Sequence, residues 1–137
     1  MPDPAADLLA AASRAREFAV APFSNFQVGA ALLTAEGQTI TGCNVENATF
    51  GLTVCAERIA LSKALSEGHR RFTHIAVVAA TDEPTPPCGA CRQLLWEYGG
   101  DLGVILGNLL RETARHRLST LFPFPFDMRF LTRPEGK

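Results

Sequence analysis

The 137-residue sequence has almost no net charge and no long apolar run. Thirteen Lys and Arg residues oppose fourteen Asp and Glu residues, which gives a formal net charge of −1 at pH 7. Because nonspecific binding to nucleic acid or to anionic lipid needs clustered positive charge, both functions are disfavoured. The longest strongly apolar run, 75–80, is far shorter than the roughly 20 residues that a helix needs to cross a bilayer.

The sequence also lacks the features of an export signal. Its first four residues, MPDP, contain no basic n-region, so we expect a cytoplasmic protein. The length fits one domain, 1–137, because two domains of half this size would each be too small for a good core. Hydrophobic residues make up 47% of the chain and charged residues 20%, which is typical of a globular fold.

Hydrophobic periodicity predicts alternating helices and strands. Apolar residues spaced by three and four positions, Phe18 among them, predict a first helix over 4–20 that ends at Pro22. The further predicted elements are a hairpin of strands 26–33 and 39–43, a helix 55–66, a buried strand 74–80, a helix 88–98, a strand 102–107, a short strand within 108–116 and a short helix 117–121. This order predicts an α/β fold in which one mixed sheet is covered by helices.

Four cysteines stand at positions 43, 55, 88 and 91. An even number is compatible with two disulfides, but in a reducing compartment clustered cysteines bind metal or carry out chemistry. Cys88 and Cys91 are three positions apart at the start of one predicted helix, and Cys55 begins another. If the two helix N-termini converge, three thiols meet where partial positive charge favours the thiolates that zinc binds. Cys43, at the end of a strand, is interpreted as a small buried residue.

Two charged residues close to Cys55 in the sequence fit a catalytic zinc site. Three protein ligands leave one position of a tetrahedral ion open to water, which is typical of such sites. The Glu57 carboxylate, in the first turn of the same helix, is placed to take a proton from water and deliver it to a substrate. Arg58 is predicted to offset the charge of three thiolates by donating hydrogen bonds to them. A structural zinc site or a redox pair would also explain the CxxC motif, but neither needs Glu57.

These motifs resemble those of the cytidine deaminases. The segments CAE at 55–57 and PCGACRQ at 87–93 are similar to the family's C-A-E and P-C-x-x-C signatures, and in particular to the small homotetrameric type with three cysteine ligands. The segment FSNFQVGAA at 23–31 resembles the family's opening segment, and TGCNVENA at 41–48 resembles its nucleoside-binding segment. The resemblance is close over 22–98 and looser in the flanks.

The resemblance implies a fold, a cofactor and residue roles. The implied fold has three layers, α/β/α, around a five-stranded mixed sheet. The implied cofactor is one Zn²⁺ per subunit, held by Cys55, Cys88 and Cys91. Glu57 would carry protons, and Arg58 would hydrogen-bond the thiolates.

The resemblance also implies which residues bind the substrate. Phe26 would pack beside the pyrimidine ring, and the backbone of Ala56 would contact the base. Asn44 and Glu46 would hydrogen-bond the ribose 3′-hydroxyl, because an amide offers donors and acceptors and an ionised carboxylate offers acceptors. Phe126 matches the family's terminal aromatic residue, which reaches the site of a neighbouring subunit.

The C-terminal segment departs from the family's pattern. Where the family often reads LLPGAF, this sequence reads LFPFPF at 121–126, so that Phe124 and Pro125 replace small residues. Four of the nine phenylalanines lie within 122–130, which is too much aromatic surface for an exposed tail of a monomer. We therefore expect this segment to be buried against other subunits, where it shapes the pocket or strengthens an interface.

The predicted function is the zinc-dependent deamination of cytidine and 2′-deoxycytidine to uridine and 2′-deoxyuridine, as in pyrimidine salvage. One alternative is a deaminase of another cytosine-containing small molecule such as blasticidin S, although NVEN at 44–47 favours a nucleoside. An alternative of another class is a structural zinc domain that binds proteins. A polynucleotide deaminase is disfavoured because it needs a basic groove. The expected partners are a nucleoside and other copies in a homotetramer, with no nucleic acid and no membrane.

Overall fold

The computed structural model describes residues 2–132, and its centre is a mixed β-sheet. The five strands are β1 (Val28–Thr34), β2 (Thr39–Cys43), β3 (Phe72–Ala79), β4 (Gly103–Gly107) and β5 (Glu112–Arg117). They lie in the order β2-β1-β3-β4-β5. Strands β3 and β4 are parallel, and the other neighbours are antiparallel. The predicted five-stranded mixed sheet is therefore confirmed.

Helices cover both faces of this sheet and extend beyond its last strand. They are α1 (Ala5–Arg16), α2 (Ala56–Ser66), α3 (Gly89–Gly99), α4 (Leu118–Leu121) and α5 (Met128–Thr132), with a 3₁₀ turn at Phe50–Leu52. The periodicity did not predict the 3₁₀ turn or α5, because elements this short show too few repeats. None of the helices within residues 2–132 is both long and apolar enough to cross a membrane.

Two hydrophobic cores form because successive side chains of a strand point to opposite faces of the sheet. One core lies between the sheet and α1 and contains Ala76, Val78 and Leu8. The other lies between the sheet and the pair α2 and α3, and it contains Val77 and Leu95. The chain therefore has the expected three layers, with α2 and α3 together on one face.

Two strand glycines allow the helices to approach the sheet closely. A Cβ at Gly29 would lie 1.9 Å from the carbonyl oxygen of Ala12 in α1. On the other face, a Cβ at Gly42 would lie 2.5 Å from the amide nitrogen of Ala60 and 2.6 Å from the carbonyl oxygen of Ala56 in α2. The absence of a side chain at Gly42 thus sets how near the N-terminus of α2 lies to β2.

The first helix is shorter than the sequence predicts, and Pro22 does not end it. Beyond α1 the amides of Phe18 and Ala19 still make turn hydrogen bonds to carbonyls three residues back. The helical pattern ends at Val20, whose amide donates to the Asn44 carbonyl at 2.9 Å and whose carbonyl accepts from the Glu46 amide at 2.8 Å. These tertiary hydrogen bonds replace the helical ones. Phe18, which was expected on the buried face of the helix, is instead 76% exposed.

Candidate metal centre and the adjoining cavities

Three cysteine side chains meet at the N-termini of α2 and α3. Cys55 directly precedes α2, Cys88 directly precedes α3, and Cys91 lies in the first turn of α3. The three Sγ atoms lie within 4.8 Å of one another. The Sγ atoms of Cys55 and Cys88 are 3.9 Å apart, and those of Cys88 and Cys91 are 3.4 Å apart. The predicted convergence of these thiols is confirmed.

The thiol cluster has dimensions that suit zinc. Two sulfurs at about 2.3 Å from a tetrahedral ion lie about 3.8 Å from each other, and the observed separations span this value. Cys91 is fully buried, Cys55 is half-buried and Cys88 is exposed. The cluster is therefore closed at Cys91, whereas Cys55 and Cys88 line an adjoining cavity.

The electrostatic surroundings favour a thiolate at Cys55. The pKa of Cys55 is lowered to about 6, chiefly by a hydrogen bond from Cys91 and also by the Cys88 thiol and the charge of Arg58, while partial burial opposes them. The pKa of Cys91 is raised, because its proton is held by Cys55 and its side chain is buried. The positive ends of two helices act in the same direction as Arg58. The site therefore supports the negative charge that a metal requires in its sulfur ligands.

Glu57 is a buried carboxyl group beside the thiols. It lies in the first turn of α2, is 5% exposed, and lines the same cavity as Cys55 and Cys88. The pKa of Glu57 is raised to about 7, chiefly by burial and to a smaller extent by negative charge on Cys55, whereas a backbone hydrogen bond opposes both. A carboxyl group with this pKa exchanges protons near neutral pH, which suits general acid–base chemistry.

A cavity of about 200 Å³ opens beside the thiols and Glu57. Phe26, which is 41% exposed, forms one wall, and the fully buried Ala56 lies at the helix end of the cavity. The remaining lining residues belong to β1, its neighbouring segment and two loops: Val28, Asn44, Thr53, Val54, Thr85 and Pro86. The mostly apolar walls with a few polar groups suit a flat heterocyclic ring.

Asn44 lines this inner cavity, and its side chain also fixes the neighbouring wall. Its Oδ1 accepts a hydrogen bond from the Val28 amide at 2.9 Å, and its Nδ2 donates to the Phe26 carbonyl at 2.8 Å. The amide oxygen retains one lone pair and the amide nitrogen retains one hydrogen. Asn44 can therefore hold Phe26 in place and contact a ligand at the same time.

Glu46 lies in a second, outer cavity of about 370 Å³. Thr53 lines both cavities, so they adjoin. The Glu46 carboxylate accepts hydrogen bonds from the Ser24 hydroxyl and from the amides of Ser24 and Phe23. Chiefly through the Ser24 hydroxyl, these bonds lower the pKa of Glu46 below its usual value. A ligand that contacts both Glu46 and Glu57 must extend across the two cavities.

Comparison with known proteins agrees with these features. The family model for the cytidine and deoxycytidylate deaminase zinc-binding region matches residues 3–106. The chain belongs to this family. A cytidine deaminase from Halalkalibacterium halodurans is 53% identical over 120 residues, which cover 87% of this chain and 91% of that protein.

The chain is also similar to a solved cytidine deaminase structure and to a deaminase named for another substrate. The crystal structure of cytidine deaminase from Burkholderia pseudomallei matches with a TM-score of 0.85 and 49% identity, over 88% of this chain and 98% of that chain. A blasticidin-S deaminase from Bacillus cereus is 36% identical over 97 residues, covering 63% of this chain and 69% of that protein. The agreement with the cytidine deaminases thus extends over more of this chain than the agreement with the blasticidin-S deaminase does.

Phe126 lies apart from the cavities of its own chain. It is 58% exposed, and its ring stacks on that of Phe130 with centroids 5.5 Å apart. Within residues 2–132, it is not among the residues that line the inner or the outer cavity. The role predicted for Phe126 therefore requires a second copy of the chain.

Cys43 is not one of the three converging thiols, and it is half-buried, whereas the sequence analysis predicted a small buried residue. It lines a separate groove of about 540 Å³ between α1 and α2, together with Arg14, Phe18 and Lys63. This groove is larger than the inner cavity, but it contains neither Glu57 nor the converging thiols. Chemistry rather than size identifies the candidate site.

The sequence analysis gave no site role to five wall residues: Val28, Thr53, Val54, Thr85 and Pro86. The last four lie on the two segments that lead into Cys55 and Cys88. Each of these four residues lies one to three positions before a candidate metal ligand. This position could have predicted them, because a loop that leads into a metal ligand also lies beside the metal site.

Proposed function

We propose that the protein is a zinc-dependent deaminase that converts cytidine and 2′-deoxycytidine to uridine and 2′-deoxyuridine with release of ammonia. The observation that carries the proposal is a buried carboxyl group, Glu57, facing the same cavity as two of three converging thiols. A structural zinc site has no use for an acid in that position. Family membership and the cytidine deaminases at 53% and 49% identity support the same reaction.

We assign the zinc ligands to Cys55, Cys88 and Cys91. Zinc bound there supplies a Lewis acid, which lowers the pKa of a water molecule and gives a nucleophile at neutral pH. The positive ends of α2 and α3 and the charge of Arg58 favour the ionised form of the thiols. Two of these ligands, Cys55 and Cys88, line the inner cavity, so a substrate held there would lie beside the zinc site.

Glu57 carries the protons of the reaction. Its carboxylate takes a proton from the attacking water and delivers it to N3 of the cytosine ring as the water oxygen bonds to C4. Glu57 then takes the remaining proton from that oxygen and passes it to the amine. The C4–N bond breaks, ammonia leaves, and a C4 carbonyl remains. Two proton transfers by one buried group suit a carboxyl that changes its protonation state near neutral pH.

The inner cavity would hold the base of the substrate, and the adjoining outer cavity would hold its sugar. The inner cavity, of about 200 Å³, is smaller than the roughly 300–1,000 Å³ of a typical ligand pocket. A cytosine ring beside Phe26 and the backbone of Ala56 would fill it. The sugar would then extend into the outer cavity, where the ionised Glu46 accepts a hydrogen bond from the 3′-hydroxyl and Asn44 lies between the two parts.

We also propose that the working form is a homotetramer in which Phe126 of one subunit closes the cavity of a neighbour. The support is the exposure of apolar side chains in the C-terminal segment, namely Phe124, Phe126, Met128, Phe130 and Leu131. Burial in a closed symmetric assembly removes such a surface from water. We further propose that the protein acts in the cytoplasm, in pyrimidine salvage.

One set of assays separates this function from its alternatives. Ammonia release and loss of ultraviolet absorbance are measured with cytidine, 2′-deoxycytidine and blasticidin S side by side, and zinc is counted per chain. We expect turnover of the two nucleosides. Turnover of blasticidin S alone would favour the reaction of the Bacillus cereus relative, whereas one zinc per chain without any ammonia would favour a structural binding domain.

A further inference from the structure

A half-buried arginine in α3 connects the metal centre to the C-terminal part of the chain. Arg92 directly follows Cys91 and lies one helical turn after Cys88. Its Nε donates a hydrogen bond to the Pro87 carbonyl at 2.8 Å, and its Nη1 donates to the Leu121 carbonyl at 2.7 Å. One guanidinium group therefore holds two segments that are distant in sequence.

The first of these segments delivers a metal-ligand candidate. Pro87 immediately precedes Cys88, and its carbonyl belongs to the peptide unit that positions the Cys88 backbone. The loop 81–87 contains three prolines, which offer no amide hydrogens for anchoring. The hydrogen bond from Arg92 thus restrains the end of this loop directly. Because Cys88 follows at once, the same hydrogen bond helps to fix the position of the Cys88 sulfur.

The second segment begins the C-terminal tail, which we define as residues 122–132. Leu121 is the last residue of α4, and the tail follows it. Two further side chains of α3 hold the tail: Gln93 Nε2 donates to the Phe126 carbonyl at 2.8 Å, and Trp96 Nε1 donates to Asp127 Oδ2 at 2.9 Å. The helix that begins at the metal centre therefore also carries the tail.

We propose that Arg92 is a positioning residue that couples metal occupancy to the placement of the C-terminal tail. The proposal rests on the proposed zinc site. A guanidinium is a planar, rigid fork, so a shift of the Pro87 carbonyl when Cys88 binds metal moves the donor that holds Leu121. Because coupling between two equilibria is reciprocal, metal binding orders the tail and an ordered tail strengthens metal binding.

The test uses the full-length variants Arg92→Met and Arg92→Lys. Arg92→Met keeps an unbranched stem and removes both hydrogen bonds, whereas Arg92→Lys keeps the charge but offers a single donor centre in place of the fork. The matched control is Arg115→Met, since Arg115 pairs with Asp3 and Glu112 at β5, away from the metal centre. Zinc affinity is measured by competition with a chelator, and hydrogen exchange of residues 122–132 is measured with and without zinc.

In the wild type, we expect zinc to slow hydrogen exchange in the tail. Both Arg92 variants should bind zinc about tenfold more weakly, as is common when groups supporting a metal ligand are removed. They should also lose most of the effect of zinc on tail exchange, whereas Arg115→Met should retain both properties. Trp96→Phe should speed tail exchange equally with and without zinc, because it loosens Asp127 but leaves Arg92 intact.

Several results would overturn the coupling. These are a wild-type tail whose exchange does not respond to zinc, Arg92 variants with unchanged zinc affinity, or weaker zinc binding with an unchanged response of the tail. Arg92→Lys keeps the test decisive if Arg92→Met does not fold by circular dichroism. A wild type that binds no zinc would instead overturn the proposed function, so the two failures are distinguishable.

Discussion

The candidate metal centre and the C-terminal tail both attach to α3, but they distribute polar and apolar groups in opposite ways. At the metal centre, the ionisable Glu57 is 5% exposed and Cys91 is fully buried. In the tail, Phe124 is fully exposed and Phe126 is 58% exposed. Burial of an ionisable group costs free energy and marks a place where chemistry needs it, whereas an exposed apolar surface marks a contact with another molecule.

This contrast indicates which part of the proposed active form one chain can build alone. The thiols, the carboxyl group and the inner cavity all come from the described part of a single chain. In the tail, most apolar side chains remain exposed because the described part of the same chain does not cover them. The comparison therefore predicts that damage at the metal centre abolishes chemistry in every assembly state, whereas damage in the tail acts through assembly.

Glu57→Gln should have the largest effect on turnover. Gln has nearly the same shape but cannot accept and pass on a proton, and a general acid–base group contributes about 10²–10⁴-fold. We expect a loss of kcat at least that large, with zinc content and assembly unchanged. Steady-state kinetics together with metal analysis check this result, and near-normal turnover would refute the proton transfers assigned to Glu57.

Cys88→Ala compared with Cys43→Ala tests the ligand assignment. Removing a ligand should release zinc and lower Tm, because metal binding couples to folding. Cys43 is also a free thiol, but it lies in a separate groove, so its variant should keep one zinc per chain. The measurement is zinc per chain after dialysis, and an empty site in Cys43→Ala with a full one in Cys88→Ala would show the assignment to be wrong.

The sequence predicted most of the metal centre because its signals are local. Cys88 and Cys91 lie on one turn, and Glu57 follows a cysteine at a helix start, so spacing alone placed each group relative to its helix. The meeting of the two helix ends was a conditional expectation. It depends on how closely α2 approaches β2, and Gly42 permits that approach through the absence of a single Cβ.

The features that the sequence did not predict depend on tertiary hydrogen bonds. The chain leaves α1 early because Val20 pairs with the segment that contains Asn44 and Glu46. Glu46 lies in an outer cavity because Ser24 and the neighbouring amide hold its carboxylate there. No periodicity or spacing encodes such contacts between distant segments, so they could not be read from the sequence.

Phe126→Ala tests the role assigned to the exposed C-terminal tail. If Phe126 is an interface anchor that closes a neighbour's cavity, its loss should weaken assembly and nucleoside binding by about 1–3 kcal/mol. The control is Leu110→Ala, which removes an apolar side chain of 92% exposure from the β4–β5 connection. Light scattering and KM are measured for both. A fully active wild-type monomer would refute the shared site and leave the metal chemistry intact.

The smallest expected effect concerns the pH at which the tail detaches from α3. Hydrogen bonds from Arg129 and from Trp96 lower the pKa of Asp127 to about 2, compared with about 3.9 for an unperturbed Asp. Arg129 belongs to the tail itself, so of these two hydrogen bonds only the one from Trp96 ties the carboxylate to α3. Since the folded state lowers this pKa, the ionised carboxylate that accepts the Trp96 hydrogen bond is fully present above about pH 4 and is lost as the pH falls towards 2.

The chain contains one tryptophan, so its fluorescence reports the Trp96–Asp127 contact directly. We expect wild-type fluorescence to change in this acidic range, and Asp127→Asn to lack that transition because an amide does not titrate. Identical acid profiles for the two proteins would show that the ionised Asp127 does not hold the tail. In that case the attachment of the tail to α3 would depend on contacts other than the one between Trp96 and Asp127.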